Sequence, residues 1–256
     1  MAFRLLTSLL QLRTVLGAAL CLDPAATYQA WIPQPKALAL NNTSNGSTPP
    51  AAVFNVTNGA LAVATWIRIH DTTKRTMIAL CHGDGGVNKF LFEISLNRLS
   101  FYSYFTDQLC KPAFTLTIDT DYFVAFRYDY SLSGPNLFLY IAAVGDTTLS
   151  LLGSYTITAP MTSTTNTVMD FGFVYSDGGV VSYATIDGWR CYTTVMVAQL
   201  EADMYHQTTY ATAPVAAYSF NQLPGMTAVT DVSGNNRHAT IKPTSQRVAQ
   251  TVPFTA

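Results

Sequence analysis

Charge is what this chain has least of. Asp, Glu, Lys and Arg make up 11% of its 256 residues, against about a quarter in an ordinary globular domain. Net charge is -1 and the basic residues are scattered. No basic stripe exists to follow a phosphate backbone, which excludes nucleic acid as the expected partner. Glutamate is nearly absent, with only Glu93 and Glu201. No Cys-x-x-Cys pair occurs among Cys21, Cys81, Cys110 and Cys191, so structural zinc has no ligand set. No Gly-x-Ser-x-Gly marks a nucleophile elbow. No apolar run reaches about 20 residues, so no membrane span is expected.

Apolar residues, by contrast, make up 49%, too many for a disordered chain. With few charges, much of the surface must be Thr, Ser, Asn and Gln. Such surfaces suit secreted proteins, glycan-binding modules and proteins packed into assemblies. The four cysteines allow two disulfides in three pairings. Cys81 and Cys191 sit in apolar runs, which favours buried free thiols.

The opening "MAFRLLTSLLQLRTVLGAALCL" has the outline of a secretory leader, but Arg13 interrupts its apolar core. Leu20 before Cys21 also fits a lipoprotein cleavage site poorly. As a helix, Leu5, Leu9, Leu12, Leu16 and Leu20 share one face, with Arg4, Gln11 and Arg13 off it. An amphipathic helix is expected, its leucines buried against its own sandwich or a neighbour. Residues 23–58 are rich in Pro, Asn, Thr and Ser and read as an extended arm, with a strand at Ala37–Leu40. Asn41, Asn42, Asn45 and Asn55 head Asn-x-Ser/Thr triplets there. These are glycan acceptors in a secreted eukaryotic protein and otherwise a by-product of composition.

From residue 60 the pattern becomes short strands separated by turns. Strands are expected at 61–69, 76–82, 89–96, 98–105, 113–118, 122–129, 136–144, 149–156, 168–175 and 184–192. A hairpin is expected about Asn97-Arg98 and a helix at 193–207. The spacing predicts an all-β antiparallel sandwich or jelly roll over 59–256, preceded by a helix-and-arm segment over 1–58.

The order of these elements resembles the concanavalin A-like, laminin-G-like domains. "ALAVATWIRI" resembles their Trp-bearing inner strand, and "KFLFEISLNRLSFYSYF" the hairpin after it. "ATIDGWRCYTTVMVAQLEADMY" resembles their closing strand and helix. Ile186, Asp187, Trp189, Arg190 and Tyr192 match, while Gly188 stands where an acidic residue is common. "DVSGNNRHA" resembles a segment that usually opens the domain. Because a sandwich brings its ends together, residues 215–256 are expected to supply an edge strand or a partner contact.

Members of that family include glycosidases, lyases, lectins and non-catalytic modules. Its glycosidases carry Glu-x-Asp-x-x-Glu on one strand, and neither glutamate here belongs to such a motif. No catalytic residue and no cofactor is expected. The resemblance implies calcium as the usual ion. "TIDTDY" offers Asp119 and Asp121, on one side if the segment is extended, though Asp-x-Asp is equally a turn before a strand. His82 and Asp84 in "CHGDGG" form the other polar cluster, which also reads as a hairpin turn. Tyr102 and Tyr104 could stack on sugar rings or be buried in an interface.

The combined expectation is a non-enzymatic assembly protein with a lectin-like sandwich, a virion component such as a capsid decoration, head-fibre or tail protein. It would contact its own copies and neighbouring virion proteins through residues 1–58, and host surface glycans through the sandwich. The alternative is a secreted carbohydrate-binding module.

Overall fold

The computed structural model describes residues 36–40, 46–51, 54, 59–73, 75–83, 88–160, 167–172, 184–194, 196–221, 226–241, 246–249, 252 and 254. All belong to one unit, Lys36–Ala256. The helix expected over residues 1–22, Cys21, the four Asn-x-Ser/Thr asparagines and Asp84 lie outside the described residues.

The unit is an antiparallel β-sandwich. Its strands are β1 (Lys36–Leu40), β2 (Gly46–Ser47), β3 (Ala60–Ile69), β4 (Arg75–Gly83), β5 (Asn88–Ser95), β6 (Arg98–Ser103), β7 (Gln108–Cys110) and β8 (Asp121–Asp129). They continue as β9 (Leu137–Ala143), β10 (Ser150–Tyr155), β11 (Thr167–Phe171), β12 (Ala184–Tyr192), β13 (Ala216–Tyr218), β14 (Ala228–Val229), β15 (Ala239–Ile241) and β16 (Gln246–Ala249). A single described helix, α1 (Val197–Asp203), follows β12.

The first sheet runs β10-β9-β8-β3-β12-β1-β16, with β13 also on β12; the second runs β14-β15-β2-β11-β4-β5-β6-β7. Residues 36–40 and 46–47, within the segment read as an arm, are therefore strands of the sheets. The C-terminal segment supplies strands to both: β13 and β16 to the first, β14 and β15 to the second.

β3 explains its own composition. Leu61, Val63, Ile67 and Ile69 face the core between the sheets. Ala62, Ala64 and Trp66 face a second cluster with Leu200 and Met204 of the α1 region. A strand covered on both faces reads as a near-continuous apolar run. The inter-sheet core is rich in rings: Phe126 packs edge-on to Phe90, Phe92 and Phe101 at 5.0–5.2 Å. Trp189 spans the layers, donating from Nε1 to the Ile78 carbonyl at 3.0 Å. Cys81, Cys110 and Cys191 are free and buried. Burial pushes the Cys81 and Cys110 thiols up to about 12, which leaves them inert.

β12 organises the first sheet. One edge pairs with β3, with a register shift between Asp187 and Arg190. The other edge is shared: Ala184–Ile186 pair with β1 and Trp189–Cys191 with β13. Between them Gly188 sits at φ +57, where a Cβ would lie 3.0 Å from Arg190 Nη2 and 3.1 Å from the Phe254 ring. Glycine at 188, in place of the acidic residue the family pattern carries, is what this bulge requires.

Three local expectations need correction. The hairpin turn is Leu96-Asn97, one residue earlier than expected, with φ of 50 and 52. Two left-handed residues make a turn whose twist suits the flanking strands. Residues 113–118 form no strand; only Leu116 among its large side chains is buried, while Phe114 and Ile118 are exposed. The short β7 pairs with β6 instead. The helix ends at Asp203, short of 207, because the carbonyls past its last turn are taken from outside: Arg190 donates to Asp203 O, and Trp66 Nε1 donates to Met204 O at 2.6 Å.

Candidate ligand-binding face

The outward face of the second sheet collects side chains far apart in sequence. Cross-strand register sets Ser47 beside Asp170, Asp170 beside Leu80, Leu80 beside Leu91, Leu91 beside Tyr102 and Tyr102 beside Leu109. At about 4.8 Å per strand, Asp170 and Tyr102 stand roughly 14 Å apart along this row. Met77, Leu80 and Leu91 form a small buried apolar cluster along it, against which Tyr102 packs.

One end of the row is the β6–β7 hairpin. Alternation turns Phe101 into the core and Tyr102 outward. The Tyr102 and Tyr104 rings meet edge-to-face, 4.7 Å apart at 86°. Asp107, left-handed at φ 50, brings its carboxylate back to accept from the Tyr102 hydroxyl. That hydrogen bond, with a smaller share from burial, holds the Tyr102 phenol above its usual value. Tyr104, Phe105 and Leu109 are exposed beside it. Two rings with a carboxylate at their rim can stack on a flat apolar surface and accept from hydroxyls next to it.

At the other end Asp170 is shared. One oxygen accepts from Ser47 Oγ and the other lies 3.1 Å from His82 Nε2. His82 Nδ1 lies 3.4 Å from the Gly83 carbonyl. Both ring nitrogens face acceptors, so both must donate, which favours the imidazolium. The Asp170 hydrogen bond is the main cause holding His82 above 6.5, with burial opposing it. A pKa raised by folding contributes stability that is complete below about 6.5 and is lost as pH rises through the raised value. In an NMR titration His82 is therefore expected to titrate above 6.5, and Asp170→Asn to bring the midpoint down. A wild-type midpoint at or below 6.5 would refute the pairing. The carboxylate lies between hydroxyl and imidazole, so Ser47 is not activated as a nucleophile, which needs the imidazole in the middle.

Asp119 and Asp121 part company. Asp119 is left-handed at φ 55, so the segment is not extended there. Its Oδ1 lies 2.6 Å from His70 Nδ1, and His70 Nε2 lies 2.9 Å from Thr185 Oγ1. Asp121, opening β8, takes Arg68 through Nε at 3.0 Å and Nη2 at 2.5 Å. Each carboxylate is thus held by a different basic side chain. Among the described residues no group of three or more His, Cys, Asp or Glu side chains could hold a metal ion. The two glutamates belong to separate layers. Glu93 on β5 takes Arg75 at 3.0 Å through both oxygens. Glu201 on α1, against the first sheet, accepts from Leu149 N at 2.7 Å. Sheets stacked about 10 Å apart exclude the ~5 Å separation of a retaining carboxylate pair for these two.

Of the residues expected at a site, Tyr102 and His82 lie on one sheet, and Tyr104 in the turn directly after β6. Asp107, Ser47 and Asp170 join them unforeseen. Asp107 carried a local signal, an Asp between two β-rich runs, but the other two carried none.

No family model and no curated protein sequence matches this chain. Its fold does match solved structures. A candidate carbohydrate-binding protein from Bacteroides ovatus superposes with a TM-score of 0.57 at 11% identity, over 87% of this chain and 62% of that one. The chain thus spans about three fifths of that structure's length. The heptameric pentraxin of Limulus polyphemus gives a TM-score of 0.46 at 11% identity, over 66% of this chain and 82% of that one. The binding domain of botulinum neurotoxin DC gives 0.43 at 13%, over 75% and 50%. At these identities the likeness is one of fold, and the first of the three carries it: the chain is an antiparallel β-sandwich. No described helix is long and apolar enough to cross a membrane.

Proposed function

We propose that this chain is a non-enzymatic, lectin-like module that binds glycans on the outward face of its second sheet. The observation that carries the reading is the exposed Tyr104 ring set edge-to-face on the half-buried Tyr102, with the Asp107 carboxylate at the rim of the pair. The carbohydrate binding named for the Bacteroides ovatus protein of like fold supports it. Tyr104 would stack on the sugar ring, and Asp107 would accept from its hydroxyls while fixing Tyr102.

We place the module in a virion, as a capsid decoration, head-fibre or tail protein, with the residues that precede β1 contacting neighbouring copies and other virion proteins. The charge-poor surface and the leucine stripe of residues 5–20 support this. A secreted carbohydrate-binding module is the alternative. Intact mass of native material separates the two: loss of the first ~20 residues would favour secretion.

A glycan array followed by calorimetry tests the binding itself. Tyr104→Ala is expected to weaken the best ligand at least about tenfold, as truncating a central aromatic contact does, with thermal stability unchanged. Silence across the array, or equal affinity for Tyr104→Ala, would sink the reading.

A further inference from the structure

We propose that Thr185 is an activated nucleophile, with His70 as its general base, that takes a short acyl group from an activated ester or thioester. This goes beyond glycan binding, does not depend on it and asks for no turnover: the acyl group stays on the chain.

Side chains from three parts of the chain stand in the order this chemistry needs. Asp119 precedes β8, His70 directly follows β3, and Thr185 lies on β12. Asp119 Oδ1 lies 2.6 Å from His70 Nδ1, and His70 Nε2 lies 2.9 Å from Thr185 Oγ1. A carboxylate only accepts, so Nδ1 carries the proton and Nε2 is left to accept from the Thr185 hydroxyl. The imidazole stands in the middle and Asp119 positions it, the arrangement that activates a hydroxyl. In the Ser47–Asp170–His82 cluster the carboxylate holds that place instead. The left-handed Asp119 is itself fixed, because its N–H donates to Ile69 O at 2.8 Å, beside the histidine it orients.

Thr185 also lines a cavity of about 10 Å³, room for one water-sized group such as the methyl of an acetyl. Its walls are Trp66, Ile67, Ile186 and Val252, and Asp121 and Asp187 line it beside Thr185. Arg68 clamps Asp121 through Nε and Nη2. Asp187 is 3% exposed. Its Oδ1 accepts from Gly188 N at 2.7 Å, while its Oδ2 has no hydrogen-bond partner among the described residues. A buried polar atom left open beside a nucleophile has a place for a ligand group. Burial pushes Asp187 well above the usual carboxylate range, so it keeps its proton and can donate to an acyl oxygen. In the transfer, Thr185 Oγ1 bonds to the acyl carbon and its proton passes to His70 Nε2. Negative charge collects on the acyl oxygen, where the Asp187 O–H meets it. The bond from carbon to the leaving group then breaks, and the thiol or alcohol departs with the proton from His70. A methyl seated in the cavity takes the place of a hydrolytic water, so the ester persists.

p-Nitrophenyl acetate added to the full chain tests this. The wild type is expected to release a burst of p-nitrophenolate approaching one equivalent per chain, and tandem mass spectrometry to place the acetyl group on Thr185. His70→Gln and Thr185→Val are expected to slow that acylation at least ~100-fold, the lower end of what a general base contributes. Thr185→Ser keeps the hydroxyl and should still take the acetyl group. Thermal unfolding checks that the variants are folded, and Thr185→Ala replaces Thr185→Val otherwise. A wild type without a burst would overturn the proposal. So would an acetyl group that rests on His70 or a lysine, or a Thr185→Val chain labelled as fast as the wild type. Acylation is read without glycan, so silence on a glycan array would strike the functional reading alone.

Discussion

Arg190→Leu is expected to destabilise the sandwich by about 3–5 kcal/mol, the cost of breaking a buried, satisfied charge network. Arg190 is fully buried. Its Nε donates to Gly188 O at 2.9 Å, Nη1 to Asp203 O and Nη2 to Met204 O at 3.4 Å. The guanidinium lies 5.4 Å from the Phe123 ring centre and 5.5 Å from that of Tyr210. Replacing a buried charged group by an apolar one is often harmless when its partners are replaced as well. Here the partners are main-chain carbonyls, which no substitution removes. A leucine in this place would leave the Gly188 bulge and the end of α1 with buried acceptors and no donor, each costing about 1–3 kcal/mol. It would also leave the Asp203 and Asp187 carboxyl groups, both buried, without the neighbouring cation. Burial already pushes Asp187 well above the usual carboxylate range, and Arg190 is among the groups that oppose this. Arg190→Lys should recover only part of the loss, because an ammonium cannot reach three carbonyls in the fork geometry or lie flat between two rings. Urea unfolding measures both. A loss below about 1 kcal/mol for the leucine variant, close to the range of ordinary surface changes, would show that the network is dispensable.

That network shows what was legible in the chain. "IDGWR" was recognisable as a pattern, and its alternation has a plain physical reading. Ile186 and Trp189 enter the inter-sheet core, and Asp187 and Arg190 go to the opposite face, with Gly188 as the extra residue. The long strands β3, β4, β5, β8, β9 and β12 were equally legible, because each runs far enough for alternation or a continuous apolar run to emerge. β7, β13, β14 and β15 have two or three residues, too few to carry a period. In 113–118 the β-rich composition misled. Arg98 holds the chain just before it by donating to the Pro112 carbonyl at 3.0 Å, and Leu116 is hung by its N–H on Asn97 O at 2.8 Å. Those tertiary contacts replace strand pairing.

The candidate face was legible only in part, for a related reason. Tyr102 and Tyr104 are near neighbours, so their clustering could be seen. His82 invited pairing with Asp84, two residues on. Its observed partner is Asp170, 88 residues away, and the Ser47–Asp170 bond spans 123. Such pairings are set by strand order, which a single sequence does not display. Asp119 and Asp121 failed as a pair for a local reason: alternation holds only where the backbone is extended, and Asp119 lies in a turn before β8 begins.

Asp231→Ala is expected to cost about 2–4 kcal/mol near neutral pH and progressively less in acid, the sum of several charge-assisted bonds left unmade. Its Oδ1 accepts from Ala217 N at 3.0 Å and Ser233 N at 2.9 Å, and its Oδ2 from Arg237 N at 2.8 Å. One carboxylate thus ties β13 to the turn that leads into β15. Around it Tyr218 OH donates to Arg237 O at 2.7 Å and Arg237 Nη1 to Val215 O at 2.6 Å. Burial alone would push Asp231 up. The hydrogen bonds from Ser233, Arg237 and Ala217 outweigh it, and the group lies below 3.8. A carboxyl lowered by folding contributes stability that is complete above the unfolded value and is lost as pH falls through the folded one. Wild type and Asp231→Ala should therefore converge in urea midpoint as pH drops from neutral to below about 3.8. Asp231→Asn should behave much like Ala at pH 7, because its amide sets a donor against the backbone N–H of Arg237 or of Ala217 and Ser233. A gap between wild type and Ala that stays constant from neutral pH to pH ~2 would mean that packing, and not the carboxylate's hydrogen bonds, holds the C-terminal strands in place.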